Sequence, residues 1–205
     1  MNFCRASIIS LTLVCCPSLS ICQAVRHKDN PDSLTQHKQA VEFQGLLVKV
    51  INTYNLSTLS ARTLDRFVQL FELFWADENT PEVNGENYGL MGTAFYRLCN
   101  GAGQNDAIVE SMLRLHAPPN SAEGSEMTND IPKLLAQSNP RAFVREFTKR
   151  DLDHRIYLAY ALRDSLPQSY DAVAFFRQFA LSPEGKSVRK EALELAKLIY
   201  DQRSH

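Results

Sequence analysis

The sequence predicts an all-α protein, and three observations carry that prediction. Apolar residues recur at three- and four-residue steps along almost the whole chain. No alternating β-branched run exceeds three or four residues, so strand signals are absent. Helix punctuation such as Asn100-Gly101, Asn139-Pro140 and Ser182-Pro183 cuts the apolar stripes into segments of helix length. The expected architecture is an irregular stack of about eight antiparallel helices, either an αα-hairpin superhelix or a globular helical bundle.

Taken in order, residues 33–54 read as one amphipathic helix through Ala40, Phe43, Leu47, Val50 and Tyr54. A turn at Asn55-Leu56-Ser57, which also spells a glycosylation sequon, leads to a second helix. Its broad stripe of Leu64, Phe67, Val68, Phe71, Phe74 and Trp75 suits a central position. The stretch ADENTPEVNGEN is a loop by its Asn, Glu, Pro and Gly content. Tyr88, Met91, Phe95 and Leu98 mark a third helix, and a fourth runs from Asn105 to His116. Residues 117–129 form the longest break and read as a flexible loop.

Beyond that break, Asp130-Ile131-Pro132 reads as a cap and a short helix to Gln137. At Asn139-Pro140 the Asn side chain can accept from open amides. Pro in the first helical position lacks only an N–H that would be unpaired anyway. Phe143, Val144 and Phe147 supply the apolar face. Residues 152–166 continue until Pro167, residues 169–180 form the next helix, and Ser182-Pro183 opens the last. Starts near 140, 152, 169 and 183 space helix pairs by about 30 residues, as in helical-repeat stacks, although no repeat consensus accompanies the spacing.

The N-terminus has the layout of an export signal. Arg5 gives a short positive start, residues 8–16 an apolar core, and Pro17 breaks it before Cys22-Gln23-Ala24. The core is too short to cross a bilayer, which takes about 20 apolar residues. Lipidation is the weaker alternative, because Ile21 and Cys15 stand where a lipoprotein signal wants a small residue. Cleavage after Ala24 leaves residues 25–205 as a single all-α domain with Cys99 as its one cysteine, read as a buried small hydrophobe. The expected location is outside the cytoplasm, in a bacterial periplasm.

Charge is uneven along that domain. Residues 25–139 hold 9 Lys/Arg against 14 Asp/Glu, whereas residues 140–205 hold 12 against 9. An excess that small does not make a nucleic-acid footprint. It does place Arg141, Arg145, Lys149, Arg155 and Arg163 in one basic region, with Arg141 and Arg145 one turn apart and Lys149 a turn beyond. Such a stripe can engage an acidic partner or a phosphate-bearing envelope component, so these five are the candidate binding residues.

Chemical motifs are few. Gly101-x-Gly103 lacks the third glycine and the preceding strand of a dinucleotide loop, and reads as one helix ending and another beginning. The five histidines show no i,i+4 metal pattern, and Asp77, Glu78, Glu82 and Glu86 are interrupted by Pro81 and Val83, where a calcium loop needs ligands or its turn. Asp151, Asp153 and His154 form the one tight titratable cluster. They are the candidates for base chemistry, although Asp151 also reads as the cap of the helix beginning at Leu152 and Asp153 suits that helix's positive end. No cofactor or metal is implied. The expectation is a non-catalytic exported protein that binds another macromolecule, with an immunity or inhibitor protein as one form. The alternative is an envelope hydrolase whose site assembles in space.

Overall fold

The computed structural model describes residues 31–76, 86–115, 130–164 and 171–202. They form nine α-helices and three 3₁₀ turns, with no strand among the described residues. The helices are α1 (Pro31–Asn52), α2 (Ala61–Ala76), α3 (Glu86–Asn100), α4 (Asp106–Leu115) and α5 (Ile131–Ser138). They continue with α6 (Pro140–Thr148), α7 (Leu152–Asp164), α8 (Ala172–Leu181) and α9 (Arg189–Asp201). The 3₁₀ turns are Leu56–Thr58, Ala102–Gln104 and Glu184–Val188.

Each helix turns its apolar stripe inward, and the stripes meet in one continuous core. Phe43, Leu47 and Val50 of α1 lie at i, i+4 and i+7 and are all buried. On α2 the buried set widens to Leu64, Phe67, Val68, Leu70, Phe71 and Phe74, because that helix is covered on more than one side. Five phenylalanine rings, Phe43, Phe67, Phe71, Phe74 and Phe95, join α1, α2 and α3 through tilted, stacked and edge contacts 5.4–6.4 Å apart. Phe143 and Phe176 stack at 6.0 Å and tie α6 to α8.

The packing order is not the chain order. In the first half α1 lies chiefly against α3, and α2 chiefly against α4. Only α8 and α9 form an extensive hairpin of consecutive helices, and α9 also packs on α7. Contacts between α6 and α7 are sparse. This interleaving, with a single core, is a globular helical bundle rather than a regular stack of hairpins.

Asparagine side chains close the junctions. Asn105 donates to the carbonyls of Leu56 and Leu59 at 3.2 and 3.0 Å while accepting from the Ala107 amide at 3.0 Å. Asn139 caps α6 as its sequence position predicts, accepting from Ala142 N–H at 3.1 Å. Its amide nitrogen also reaches Ala102 O at 3.1 Å and Asp106 Oδ1 at 2.8 Å. Beside it, Ser138 Oγ donates to Asn100 O at 2.8 Å and accepts from Gly103 N–H at 3.0 Å. The stretch NGAGQND is therefore the helix-to-helix junction expected of it, tied to two other turns.

Two helix starts differ from expectation. Asp130 makes no cap for α5. Its carboxylate faces Tyr96, whose phenol burial pushes up, with the Asp130 charge and hydrogen bond adding to the shift. Ser182 does act as a cap, accepting from Gly185 N–H at 3.1 Å, but what it opens is the 3₁₀ turn at Glu184–Val188. The last α-helix begins only at Arg189, whose Nε donates to Ala180 O at 2.8 Å.

Cys99 is fully buried on α3, and burial, with Asp130 nearby, raises its thiol far above the ordinary range. It behaves as a small core residue, held as the neutral thiol. No helix among the described residues is long and apolar enough to cross a membrane. The leader at 1–24, the acidic loop with Asp77, Glu78 and Glu82, and the break at 117–129 lie outside the described residues.

Candidate functional site

Helix α6 is short and sharply two-sided. Ala142, Phe143, Val144, Glu146 and Phe147 are buried, while Arg141 and Arg145 face outward and are exposed. Lys149, the residue just past the helix, extends the row. Arg145 Nη1 lies 3.9 Å from Asp106 Oδ2, with both side chains about half exposed. Lys149 Nζ donates to Glu146 Oε1 at 2.5 Å, and that hydrogen bond holds the ammonium above its usual range. Glu146 is nearly covered, so the exposed long side chains of α6 itself are basic, while the carboxylates of Asp106 and Glu110 on α4 lie beside the row.

The other two basic candidates are turned elsewhere. Arg155 of α7 is half-buried, with Nη1 3.2 Å from Glu194 Oε1 of α9 and its guanidinium 5.9 Å from the Phe147 ring centre. Arg163 Nη1 donates to the Gln202 carbonyl at 2.7 Å, and the group lies 4.7 Å from the Tyr160 ring centre. Both bridge α7 to α9 or its end, and a lysine could not reproduce such planar contacts. The structure thus brings Arg141, Arg145 and Lys149 together on a solvent face and sends Arg155 and Arg163 into helix packing.

The titratable cluster takes the capping geometry. Asp151 Oδ1 accepts the backbone N–H of His154 at 2.8 Å, and Asp153 is exposed in the first turn of α7. His154 is half-buried, and its Nε2 meets no hydrogen-bond partner among the described residues. The aspartate therefore orients the backbone of this turn, and no carboxylate–imidazole pair forms through Nε2. Among the described residues no three His, Cys, Asp or Glu side chains converge to hold a metal ion.

A cleft of about 780 Å³ opens on a different part of the molecule. Tyr54, Asn55, Leu56, Arg97, Asn100, Gly101 and Gln104 line it. It lies where α1 and α3 both end. Arg97 closes the open carbonyls of α1, with Nε donating to Val50 O at 3.1 Å and Nη2 to Thr53 O. Gln104 Oε1 accepts the Leu56 N–H at 2.8 Å, and Asn55 Oδ1 accepts from Ser57 N–H at 3.0 Å. The Tyr54 side chain stands at the rim, 95% exposed. Sequence reasoning passed over this cleft because each of its residues also reads as an ordinary helix end or turn. The one signal was Tyr54, an aromatic ring counted on an apolar stripe that the structure leaves wholly in solvent. Comparison of the chain with protein families, with characterised proteins and with solved structures finds no match.

Proposed function

We propose that this is an exported, non-catalytic helical protein that binds an acidic protein partner in the cell envelope, as an inhibitor or immunity protein does. The reading of export rests on the leader at residues 1–24. The observation that carries the binding reading is the outward face of α6. Its exposed long side chains, Arg141, Arg145 and Lys149, are all cationic, and the buried face beneath is fixed by Phe143 and Phe147. A rigid base holds the charges in register while their head groups stay in water, an arrangement that steers an oppositely charged surface toward docking.

The ion pairs already present do not block this role. Exposed pairs such as Arg145–Asp106 contribute on the order of 0–1 kcal/mol, so a partner carboxylate that excludes water can displace them. Arginine adds planar, two-point pairing with carboxylates that a lysine cannot give.

The test is capture from an envelope extract by the wild-type protein and by the Arg141→Glu/Arg145→Glu/Lys149→Glu triple variant. A specifically captured protein is expected to be acidic and to bind the variant about a hundredfold more weakly, mostly through slower association. The wild-type affinity should also fall as salt rises, because exposed charges are screened. Equal capture by the two proteins would sink the proposal.

A further inference from the structure

The cleft at the ends of α1 and α3 has a chemistry unlike the α6 face. Three carboxamide residues, Asn55, Asn100 and Gln104, line it together with the exposed Tyr54. Local bonds engage the side-chain oxygens of Asn55 and Gln104, which turns their amide nitrogens over as donors. Arg97 is the one cation of the lining, and its Nε and Nη2 already hold the carbonyls of Val50 and Thr53. The Nε–Nη2 edge, the side-on fork for a carboxylate or phosphate, is thus occupied, and only the end-on edge at Nη1 is left. No acidic residue lines the cleft, so a cation finds no counter-charge. Leu56 is only 2% exposed and offers no pocket for an apolar side chain, and the described residues hold no strand edge for an extended peptide.

A neutral ligand rich in hydroxyls meets these conditions. Its oxygens can accept from the carboxamides, and the C–H face of a pyranose ring can lie on the electron-rich face of Tyr54. The volume is within the ordinary range for ligand sites, about 300–1,000 Å³. We propose that this cleft is a carbohydrate-binding site for a short neutral oligosaccharide, with Tyr54 as the stacking platform and Asn55, Asn100 and Gln104 as hydroxyl-binding groups.

The test is titration of the isotope-labelled full chain with maltotriose and with tri-N-acetylchitotriose, followed by amide NMR, with citrate and an acetylated neutral tripeptide as the competing chemistries. At least one trisaccharide is expected to shift the amides of Asn55, Leu56, Gly101 and Gln104 at millimolar concentration while those of α6 stay in place. Tyr54→Ala should weaken that binding about tenfold and leave the rest of the spectrum unchanged, because the side chain is exposed and supports no packing. Asn100→Ala is the second variant, expected to weaken binding while retaining the fold, since Ser138 bonds the backbone carbonyl of Asn100 rather than its side chain. The proposal is overturned if neither trisaccharide shifts these amides up to about 20 mM, a limit already weaker than ordinary recognition. It is equally overturned if citrate or the tripeptide binds there more tightly, or if Tyr54→Ala binds the sugar as well as wild type.

Discussion

Gly185→Ala is expected to cost about 3 kcal/mol of stability, the upper end of what overpacking a buried position does. A Cβ at this buried glycine would lie 2.0 Å from the carbonyl oxygen of Phe179, 2.8 Å from its carbonyl carbon and 3.2 Å from Ala180 Cα. All three atoms belong to the backbone of the last turn of α8, so no side chain can rotate away. Relief requires the Glu184–Val188 turn to lift off α8, which disturbs the most extensive helix pair of the fold and the Ser182–Gly185 hydrogen bond. Gly45→Ala is the matched control. It lies mid-helix in α1 with nothing within 4 Å of a new Cβ, and should gain about 1 kcal/mol from helix propensity alone. Urea unfolding of the two variants checks both signs. A Gly185→Ala protein as stable as wild type would mean that α8 and the 3₁₀ turn do not approach as closely as described.

The second large effect is expected at Phe71. This α2 ring is 1% exposed and contacts Phe43 of α1 at 6.4 Å, Phe67 at 5.8 Å and Phe95 of α3 at 5.8 Å. Phe71→Ala removes the ring where three helices meet, and rigid neighbours can collapse only partly into the space. The loss should be about 3–5 kcal/mol, the range for deleting a buried aromatic side chain. Leu73→Ala on the same helix removes a side chain that is 42% exposed, and should cost much less. Comparing the two by denaturation separates core packing from any general effect of alanine in α2. Similar losses for both would contradict the burial pattern.

The all-α class was legible because every helix must bury one stripe, and the stripes are written at helical spacing. Phe43, Leu47 and Val50, and likewise Phe143, Val144 and Phe147, are inward for that reason. The Asn139-Pro140 start was legible because capping is local chemistry, needing only the next three residues. What periodicity could not reveal is which stripe meets which. The pairing of α1 with α3 and α2 with α4 depends on shape complementarity between distant segments, and no residue spacing records it. The start of α9 was misplaced because Ser-Pro reads the same before a 3₁₀ turn as before an α-helix. Only the close approach of Gly185 to Phe179 separates them. Among the basic candidates, sequence grouped Arg155 with Arg145 in one basic region. The rotation of α7 turned Arg155 toward Glu194, a partner 39 residues away. The carboxamide cleft was invisible for the same reason, since Asn55 and Asn100 become neighbours only when α1 and α3 pack.

Interleaved packing also sets the order in which the chain can close. The α8–α9 hairpin needs only neighbouring residues, so its contacts form without closing a long loop. By contrast α1 waits for α3, and α2 for α4, before most of their apolar surface is covered. Synthesis runs the other way, and the half that emerges first is the half that must wait longest. Pulsed hydrogen exchange during refolding would reveal this as protection of α8 and α9 ahead of α2, and the reverse order would refute it. For the exported chain proposed above, that delay is useful: a first-made half that stays open remains able to thread through a membrane channel until the whole length has arrived.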